Sequence, residues 1–223
     1  MIVLGGPAAV SDAVLDAARA TTTGPVTRVF GADRYGTAVA ITQTSHAQGA
    51  SVVYIATGAD FADALGGGPR AMRDGGPILL VQQDAIPAST EAELRRLSPD
   101  RIVVLGGPDA VSESVARDLR AFAPAGLSRL AGVDRYATSV AISQAGFEPG
   151  VDVVFQANGR GYGDALPAGA AAGGRGPVLL VREDCVPLGV MRELERLQAR
   201  EVIVVGGLAA LGDGVNSLRQ CSS

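Results

Sequence analysis

The chain contains one short segment twice. Gly31–Ile41 reads GADRYGTAVAI, and Gly132–Ile142, which lies 101 residues further along, reads GVDRYATSVAI. The residues Gly, Asp, Arg, Tyr, Thr, Val, Ala and Ile recur in the same order and at the same spacing. A match of this density indicates an internal repeat, and the repeat has to be defined first because its period constrains the whole fold.

Further matches extend the repeat over almost the entire chain. They pair Phe61–Leu65 with Tyr162–Leu166, Gly76–Val81 with Gly176–Val181, Val103–Gly107 with Ile203–Gly207, and residues 2–11 with residues 103–112. We therefore predict three parts. Residues 1–25 are the strand–helix remnant of a preceding repeat with a linker, residues 26–124 are repeat unit one, and residues 125–223 are repeat unit two.

The hydrophobic pattern predicts an α/β fold. In each unit, short apolar runs alternate with helical patterns in the order βαβαβαβα, and the apolar runs are continuous, as in strands that are covered on both faces. We expect tandem Rossmann-like units, each a mainly parallel four-stranded sheet flanked by helices. The remnant carries an apolar helix face, so we expect it to dock on unit two or at a dimer interface.

Composition excludes several functions. The net charge is −4 and there is no basic run, which disfavours nucleic acid as a partner. No apolar run reaches the ~18 residues of a membrane span. All 19 basic residues are Arg, so lysine-based chemistry is absent, and the single histidine, His46, has Phe147 as its counterpart in unit two. We find no nucleophile–base pair, no metal-ligand cluster and no cofactor fingerprint, and we therefore expect a protein that is not an enzyme.

Four motifs together carry a family resemblance. The order G-x-D-R-Y-x-T-x-V-A-I, F-A-D-A-L, G-P-I-L-L and V-L-G-G-x-x-x-V-S resembles the cell wall-binding repeat 2 family over nearly the whole chain. The resemblance implies secreted Gram-positive surface proteins that carry such units in threes and are held non-covalently to anionic wall polymers. This chain has only two complete units, so a third repeat or a homo-oligomer is expected to complete the assembly.

The repeated polar residues are the candidate polymer-binding site. In an open parallel sheet, ligands bind beyond the carboxyl ends of the strands, where helix N-termini offer free N–H groups. An alternative interpretation is purely structural: the aspartates cap helices, and Arg34 pairs with Asp63 as Arg135 does with Asp164. The candidates are Asp33, Arg34, Tyr35, Thr37, Asp63, Asp134, Arg135, Tyr136, Thr138 and Asp164. Arg160 and Arg175, which occur in unit two alone, are further candidate contacts.

The two cysteines both lie in unit two. Cys185 and Cys221 take the places of Ala85 and Ala121 in unit one, and this shared difference suggests that the two form a disulfide. A disulfide would attach the C-terminal helix to the loop after a strand and would suit an oxidising, extracellular location. The alternative is two unrelated free thiols.

These observations lead to three functional hypotheses. The first is a non-catalytic cell wall-binding module that anchors a secreted or surface protein to anionic wall polymer, with an extracellular, cell wall location and a signal peptide outside this sequence. The second is a Rossmann-like enzyme or nucleotide-sugar binder. The third is a structural, self-associating surface scaffold.

Overall fold

A computed structural model describes residues 1–222 of the chain. Nine strands, nine α-helices and one short 3-10 helix (Arg120–Phe122) are found in this part. The strands are β1 (Ile2–Leu4), β2 (Thr27–Val29), β3 (Val52–Thr57), β4 (Ile78–Val81), β5 (Arg101–Leu105), β6 (Leu127–Leu130), β7 (Val153–Asn158), β8 (Val178–Val181) and β9 (Glu201–Val205). The helices are α1 (Asp12–Ala20), α2 (Arg34–Ser45), α3 (Ala62–Asp74), α4 (Ala88–Leu97), α5 (Glu113–Leu119), α6 (Arg135–Gly146), α7 (Ala165–Ala172), α8 (Leu188–Leu197) and α9 (Asp213–Asn216).

The strands form three parallel sheets, in the orders β1-β2, β4-β3-β5-β6 and β8-β7-β9. The middle sheet is covered on both faces: alternate β3 residues enter two separate hydrophobic cores, Val53 and Ile55 on one side, Val52 and Tyr54 on the other. This explains the continuous apolar runs in the sequence and confirms the predicted parallel α/β class. Among the described residues no helix is long and apolar enough to cross a membrane.

The opening strand of unit two belongs to the sheet of unit one. β6 follows the linker at the start of unit two, yet it pairs with β5, with Ile102 opposite Leu127 and Leu105 opposite Leu130. Only three strands therefore remain for the last sheet. The expectation of four strands per unit holds for the middle sheet alone, because its fourth strand is donated by the following repeat.

The remnant shows the same arrangement on a smaller scale. β1 corresponds to β5 and pairs with β2 in the register that β5 and β6 use, so that Ile2 lies opposite Thr27 and Leu4 opposite Val29. The expectation that the remnant docks on unit two is therefore wrong. Main-chain pairing with β2 fixes its position and leaves much of α1 exposed, including Val14.

The last helix is shorter than the pattern predicted. Through its correspondence with unit one, the sequence predicts a helix over residues 211–220, but α9 ends at Asn216. Beyond it, Leu218 has a positive φ of 53°, and Gln220 forms a parallel bridge with Val186. Cys221 is joined to Cys185 by a disulfide, with the two Cα atoms 4.9 Å apart. These tertiary contacts take the chain out of the helix and hold it against the loop after β8.

Candidate functional site

The repeated D-R-Y motif begins a helix at the carboxyl end of a strand in both units. Asp33 caps α2 by accepting a hydrogen bond from the Gly36 N–H at 2.7 Å, and Asp134 caps α6 through the Ala137 N–H at 2.8 Å. A carboxylate at this position satisfies an N–H that the helix leaves free and also interacts favourably with the helix dipole. Both aspartates thus have the structural role that the sequence allowed for them.

The threonine of the motif closes the turn in front of the helix. The Thr37 hydroxyl accepts from the Gly31 N–H at 3.0 Å, and the Thr138 hydroxyl accepts from the Gly132 N–H at 3.1 Å. The strand end and the first turn of the helix are thereby connected in the same way in both units. The direction of the arginine that follows the capping aspartate is consequently fixed.

Each motif arginine and tyrosine contacts the loop after the middle strand of its own repeat. Arg34 donates from Nη1 to the carbonyl of Gly58, and Arg135 donates from Nη1 to the carbonyl of Gly159 at 2.6 Å. The tyrosines lie against the same glycines. A Cβ on Gly58 would come 2.6 Å from Cε1 of Tyr35, which explains why a residue without a side chain is found there.

The second nitrogen of the unit-two arginine reaches back to unit one. Arg135 Nη2 lies 2.9 Å from Oδ2 of Asp60, just before α3. The structure does not show the expected pairs Arg34–Asp63 and Arg135–Asp164. Because β6 joins the preceding sheet, the start of α6 lies beside the start of α3, and the partner of Arg135 comes from the other repeat.

A small cavity of about 180 Å³ lies at this junction. Its charged lining consists of Asp60, Asp63, Asp109, Asp134 and Arg135, so it contains four carboxyl groups and one guanidinium. Burial raises the pKa of Asp63, and the nearby charge of Asp60 raises it further, against the opposing effects of Arg135 and of a hydrogen bond with Thr138. An excess of carboxylates repels anions, so this cavity is poorly suited to bind a phosphate or an acidic sugar.

Asp63 and Asp164 also lie against the turns after β5 and β9. Gly106 and Gly206 adopt positive φ angles of 95° and 138°, and a Cβ on Gly206 would come 2.9 Å from Oδ2 of Asp164. Gly106 is in similar close contact with Asp63. A glycine is therefore required at both positions for two reasons: the backbone has a positive φ angle, and the aspartate occupies the space that a side chain would need.

The corresponding cleft of unit one has a larger volume, and its charged lining consists of one carboxylate and one guanidinium. It measures about 700 Å³ and is lined by Gly6, Asp33, Arg34 and Thr37, the counterparts of Gly107, Asp134, Arg135 and Thr138. No residue takes the places of Asp60 and Asp63, because the described part of the chain contains no α3-type helix before unit one. Within residues 1–222, Arg34 consequently forms no salt bridge, and its side chain is exposed.

Two more arginines follow strand ends in unit two. Arg160 comes after β7 and Arg182 after β8, both exposed and neither in an ion pair within the described residues. The Arg182 guanidinium lies 5.7 Å from the centroid of the Tyr136 ring, a cation–π distance. Arg160 was a candidate from the sequence. Arg182 was missed, although its position directly after an apolar strand was the available signal. Arg175 donates to the Ala171 carbonyl at 2.9 Å, at the end of α7 and away from these residues.

An apolar groove of about 440 Å³ lies between α2, α3 and α7. Its lining includes Ala38 and Ile41 of α2 and Leu166 of α7, which is 56% exposed. The counterparts of Ala38 and Ile41 in α6 are Ser139 and Ile142, which are 2% and 1% exposed because α3 covers them. At this groove α2 therefore exposes the face that, in the equivalent helix α6, is buried against α3.

A metal-binding cluster is not found in the described residues. Residues 1–222 contain no cluster of three or more His, Cys, Asp or Glu side chains that could hold a metal ion. His46 contacts the Ser45 hydroxyl and the Gly75 carbonyl at the end of α2, and it is half-buried. Helix starts, arginines and glycine turns lie together at the strand ends.

The chain matches a described family over both repeats. The family is Cell wall binding domain 2 (CWB2), and the matched segments are residues 28–116 and 129–216. Among curated proteins, the N-acetylmuramoyl-L-alanine amidase LytC of Bacillus subtilis (strain 168) is 33% identical over 82 residues, which are 37% of this chain and 16% of that protein. The Amidase enhancer of the same organism is 29% identical over 198 residues, 88% of this chain and 26% of that protein.

Two solved structures have the same architecture. Cwp6 from Clostridium difficile is 32% identical, with a TM-score of 0.79, and the match covers 89% of this chain and 32% of that chain. Cwp8 from the same organism has a TM-score of 0.82 and covers 97% of this chain and 37% of that chain, and at 23% identity the likeness concerns the fold alone. The chain thus spans between about a sixth and about a third of the proteins it resembles.

Proposed function

Because the chain belongs to the Cell wall binding domain 2 family, a family of wall-binding modules, we propose that it anchors a surface protein non-covalently to an anionic wall polymer and performs no catalysis itself. The observation that carries the proposal is the match of the family to both repeats. Two relatives are named for amidase activity or its enhancement, but the chain covers only 16% and 26% of them. Their activities are therefore not transferred to it.

We place the principal polymer contact at Arg34. Its guanidinium has one nitrogen on the Gly58 carbonyl and no acidic partner within residues 1–222, so it can donate to a phosphate or carboxylate. Asp33 and Thr37 hold the turn that positions it, and Tyr35 packs against the same glycine. Arg160 and Arg182 add exposed cations after neighbouring strands of unit two, and several weak contacts along one chain give avidity toward a repeating polymer.

The equivalent residues of unit two are assigned to positioning the repeats. Arg135 is already bonded to Asp60, and the acidic cavity around Asp63 disfavours an anion. Asp134, Tyr136, Thr138 and Asp164 hold the turns and glycines around this junction. The repetition of the motif thus preserves the architecture, while the charge available to a ligand differs between the two ends of the chain.

We further propose that a third repeat completes the assembly by filling the apolar groove. In the part of the chain that the structure describes, no α3-type helix covers α2 as α3 covers α6. Likewise, no D-R-Y helix packs on α7 as α6 packs on α3, and the groove is lined by both α2 and α7. A single repeat offers both kinds of helix. The expected location is extracellular, on the cell wall, which is the setting that the family implies and that suits the disulfide.

Co-sedimentation with purified Gram-positive cell walls tests the polymer proposal. We expect wild-type chain to pellet with walls at low salt, to be released as salt rises, and to lose binding to walls stripped of anionic polymers by acid. The double variant Arg34→Ala/Arg160→Ala is expected to weaken binding at least tenfold. The matched control, Arg117→Ala/Arg192→Ala, removes two exposed helix arginines outside ion pairs and is expected to bind normally.

The outcomes separate the alternative functions. Equal binding by both double variants would mean that the polymer does not bind at Arg34 and Arg160. Equal binding to stripped walls would point to another wall component. A chain that self-associates on walls at any salt would favour the structural scaffold, and specific saturable binding of a nucleotide-sugar would favour the Rossmann-like binder or enzyme.

A further inference from the structure

One sheet edge lacks a strand that its counterparts have. β5 is covered by β6 and β1 is covered by β2, whereas among residues 1–222 β9 pairs with β7 only and is the edge of its sheet. The exposure of the side chains agrees with this. Ile102 of β5 is fully buried, while its counterpart in β9, Val202, is 38% exposed. The uncovered edge of β9 therefore exposes both main-chain groups and apolar side chains.

The covering strand is fixed by the same main-chain bond in both occupied sheets. The Gly106 N–H after β5 donates to the Leu130 carbonyl at 2.9 Å, and the Gly5 N–H after β1 donates to the Val29 carbonyl at 3.0 Å. Gly206 is the counterpart after β9 and has the same left-handed conformation, with a φ of 138°. Among the described residues no carbonyl accepts from the Gly206 N–H. Gly206 thus already has the backbone conformation with which Gly5 and Gly106 bind their covering strands.

The covering strands also share an arginine. Arg129 of β6 donates from Nη1 to the Gly106 carbonyl at 2.8 Å, and its Nη2 lies 3.1 Å from Oε1 of Glu113. Arg28 of β2 forms the equivalent ion pair with Asp12, at 3.2 Å, but donates to the Ser11 carbonyl and not to a glycine carbonyl. Both arginine side chains are largely buried, at 17% and 9% exposure, so the acidic partner compensates a charge that is shielded from water.

β9 has the acidic half of this pair without the arginine. Asp213 stands 100 residues after Glu113, at the first position of α9, and it forms no ion pair with any residue of the described chain. The edge of β9 therefore combines a free N–H at Gly206, a free carbonyl at the same residue and a carboxylate. These are the three groups that an arginine-bearing strand contacts on β5.

We propose that the edge of β9 binds the opening strand of one further repeat, in parallel, with the arginine of that strand on the Gly206 carbonyl and on Asp213. This inference rests on the proposed third repeat and identifies a second place where it is held. A single repeat is the occupant because the apolar groove is lined by both α2 and α7, which one unit can cover together. The ring of repeats would then be closed by a strand contact as well as by helix packing.

The full chain can be given this strand through its own C-terminus. Cys221 is the counterpart of Ala121 and is bonded to Cys185, the counterpart of Ala85, so a copy of residues 122–131 attached after Cys221 would start from a position equivalent to the one from which the original segment runs to β5. The matched control carries the same copy with the Arg129→Ala change. A second control carries the intact copy on an Asp213→Asn chain.

Hydrogen exchange of the β9 amides reports the pairing directly. We expect the intact copy to slow exchange at Val202 and Gly206, the counterparts of Ile102 and Gly106, by at least tenfold and to raise the Tm by about 2–4 °C. Both controls are expected to lose most of this protection. Unchanged exchange at both amides, or equal protection by the Arg129→Ala copy, would overturn the proposal.

Two further outcomes are distinguished by the same samples. If the unextended chain dimerises and the extension abolishes the dimer, the edge is taken by a second copy and the assignment to a further repeat is wrong. Wall binding plays no part in the exchange measurement. Loss of co-sedimentation with retained β9 protection would therefore count against the polymer proposal and leave the strand site standing.

Discussion

Arg135 at the start of α6 donates from Nη2 to Oδ2 of Asp60 at 2.9 Å, and so connects the second repeat to the first. Its counterpart Arg34 occupies the same place in the preceding motif but has no carboxylate within the described residues. The same three-residue motif thus serves as an internal link at one position and offers a free cation at the other. This difference supplies the first prediction.

Arg135→Ala is expected to destabilise the chain more than Arg34→Ala. Both substitutions remove a hydrogen bond to a glycine carbonyl, but only Arg135→Ala also removes the half-exposed pair with Asp60, so we expect an additional loss of about 0.5–1 kcal/mol in the free energy of unfolding. Urea titration of both variants measures it. A double-mutant cycle with Asp60→Asn should assign that difference to the pair, and a coupling energy of zero would contradict the interpretation.

Asp63→Asn is expected to change the pH dependence of stability. Folding raises the pKa of Asp63 through burial and the charge of Asp60. A raised carboxyl pKa means that the folded state holds the proton more tightly, so its stabilising effect is complete below the ordinary pKa of about 4 and is lost as pH rises through the raised value. The asparagine cannot ionise. The variant should therefore gain stability relative to wild type on going from pH 3 to pH 7.

Denaturant midpoints of both proteins at the two pH values provide the measurement. The exposed Asp118 offers a control, because Asp118→Asn alters net charge by the same amount without touching the junction. If Asp63→Asn and Asp118→Asn shift the profile equally, the effect comes from overall charge and the burial of Asp63 is irrelevant to it.

Loss of the disulfide should destabilise unit two. The Cys185–Cys221 bond closes a loop with a sequence separation of 36 residues. In the chain-entropy view, opening a loop of that size costs roughly 3–4 kcal/mol in the free energy of unfolding. Cys185→Ala/Cys221→Ala should unfold at lower denaturant than the oxidised wild type, and reductant should bring wild type to the level of the variant. A variant that still responds to reductant would contradict this account.

Unit one allows the converse experiment. Ala85 and Ala121 occupy the positions of the two cysteines, and both line one surface cavity. Ala85→Cys/Ala121→Cys is expected to form a second disulfide under oxidising conditions. Mass spectrometry of the alkylated protein would detect it, and two alkylated thiols at these positions after oxidation would contradict the expectation.

Gln156→Ile is expected to stabilise the chain. Gln156 lies in the middle of β7 and is fully buried, and neither its amide nitrogen nor its amide oxygen has a hydrogen-bond partner in the described residues. The counterpart in β3 is Ile55, also fully buried. Removing an unpaired buried amide at similar volume should raise the free energy of unfolding by about 1–2 kcal/mol.

The reverse substitution, Ile55→Gln, provides the test in the other unit and should lower stability by a similar or larger amount. Thermal unfolding of the two variants against wild type measures both effects. A destabilised Gln156→Ile would mean that the amide has a partner outside the protein chain, for which an internal water is the natural candidate.

The sequence predicted the features that depend on neighbouring residues. The repeat and the continuous apolar runs led to a parallel α/β fold, which was confirmed. The roles allowed for Asp33 and Asp134 are those that the structure shows, since a cap is a contact over three residues. Cys185 and Cys221 could be suggested as a pair because both depart from unit one, and the structure joins them.

The contacts between repeats were decided only by the tertiary structure. The hydrophobic pattern of β6 is the same whether the strand opens its own sheet or completes the preceding one, so the pairing with β5 was not readable from it. That pairing brings the start of α6 beside α3, which gives Arg135 the partner Asp60 instead of Asp164, whereas Arg34 has no carboxylate partner among the described residues. Local hydrogen bonds and periodicity are encoded within a few residues, whereas strand order and the partners of charged side chains depend on how segments about a hundred residues apart are brought together.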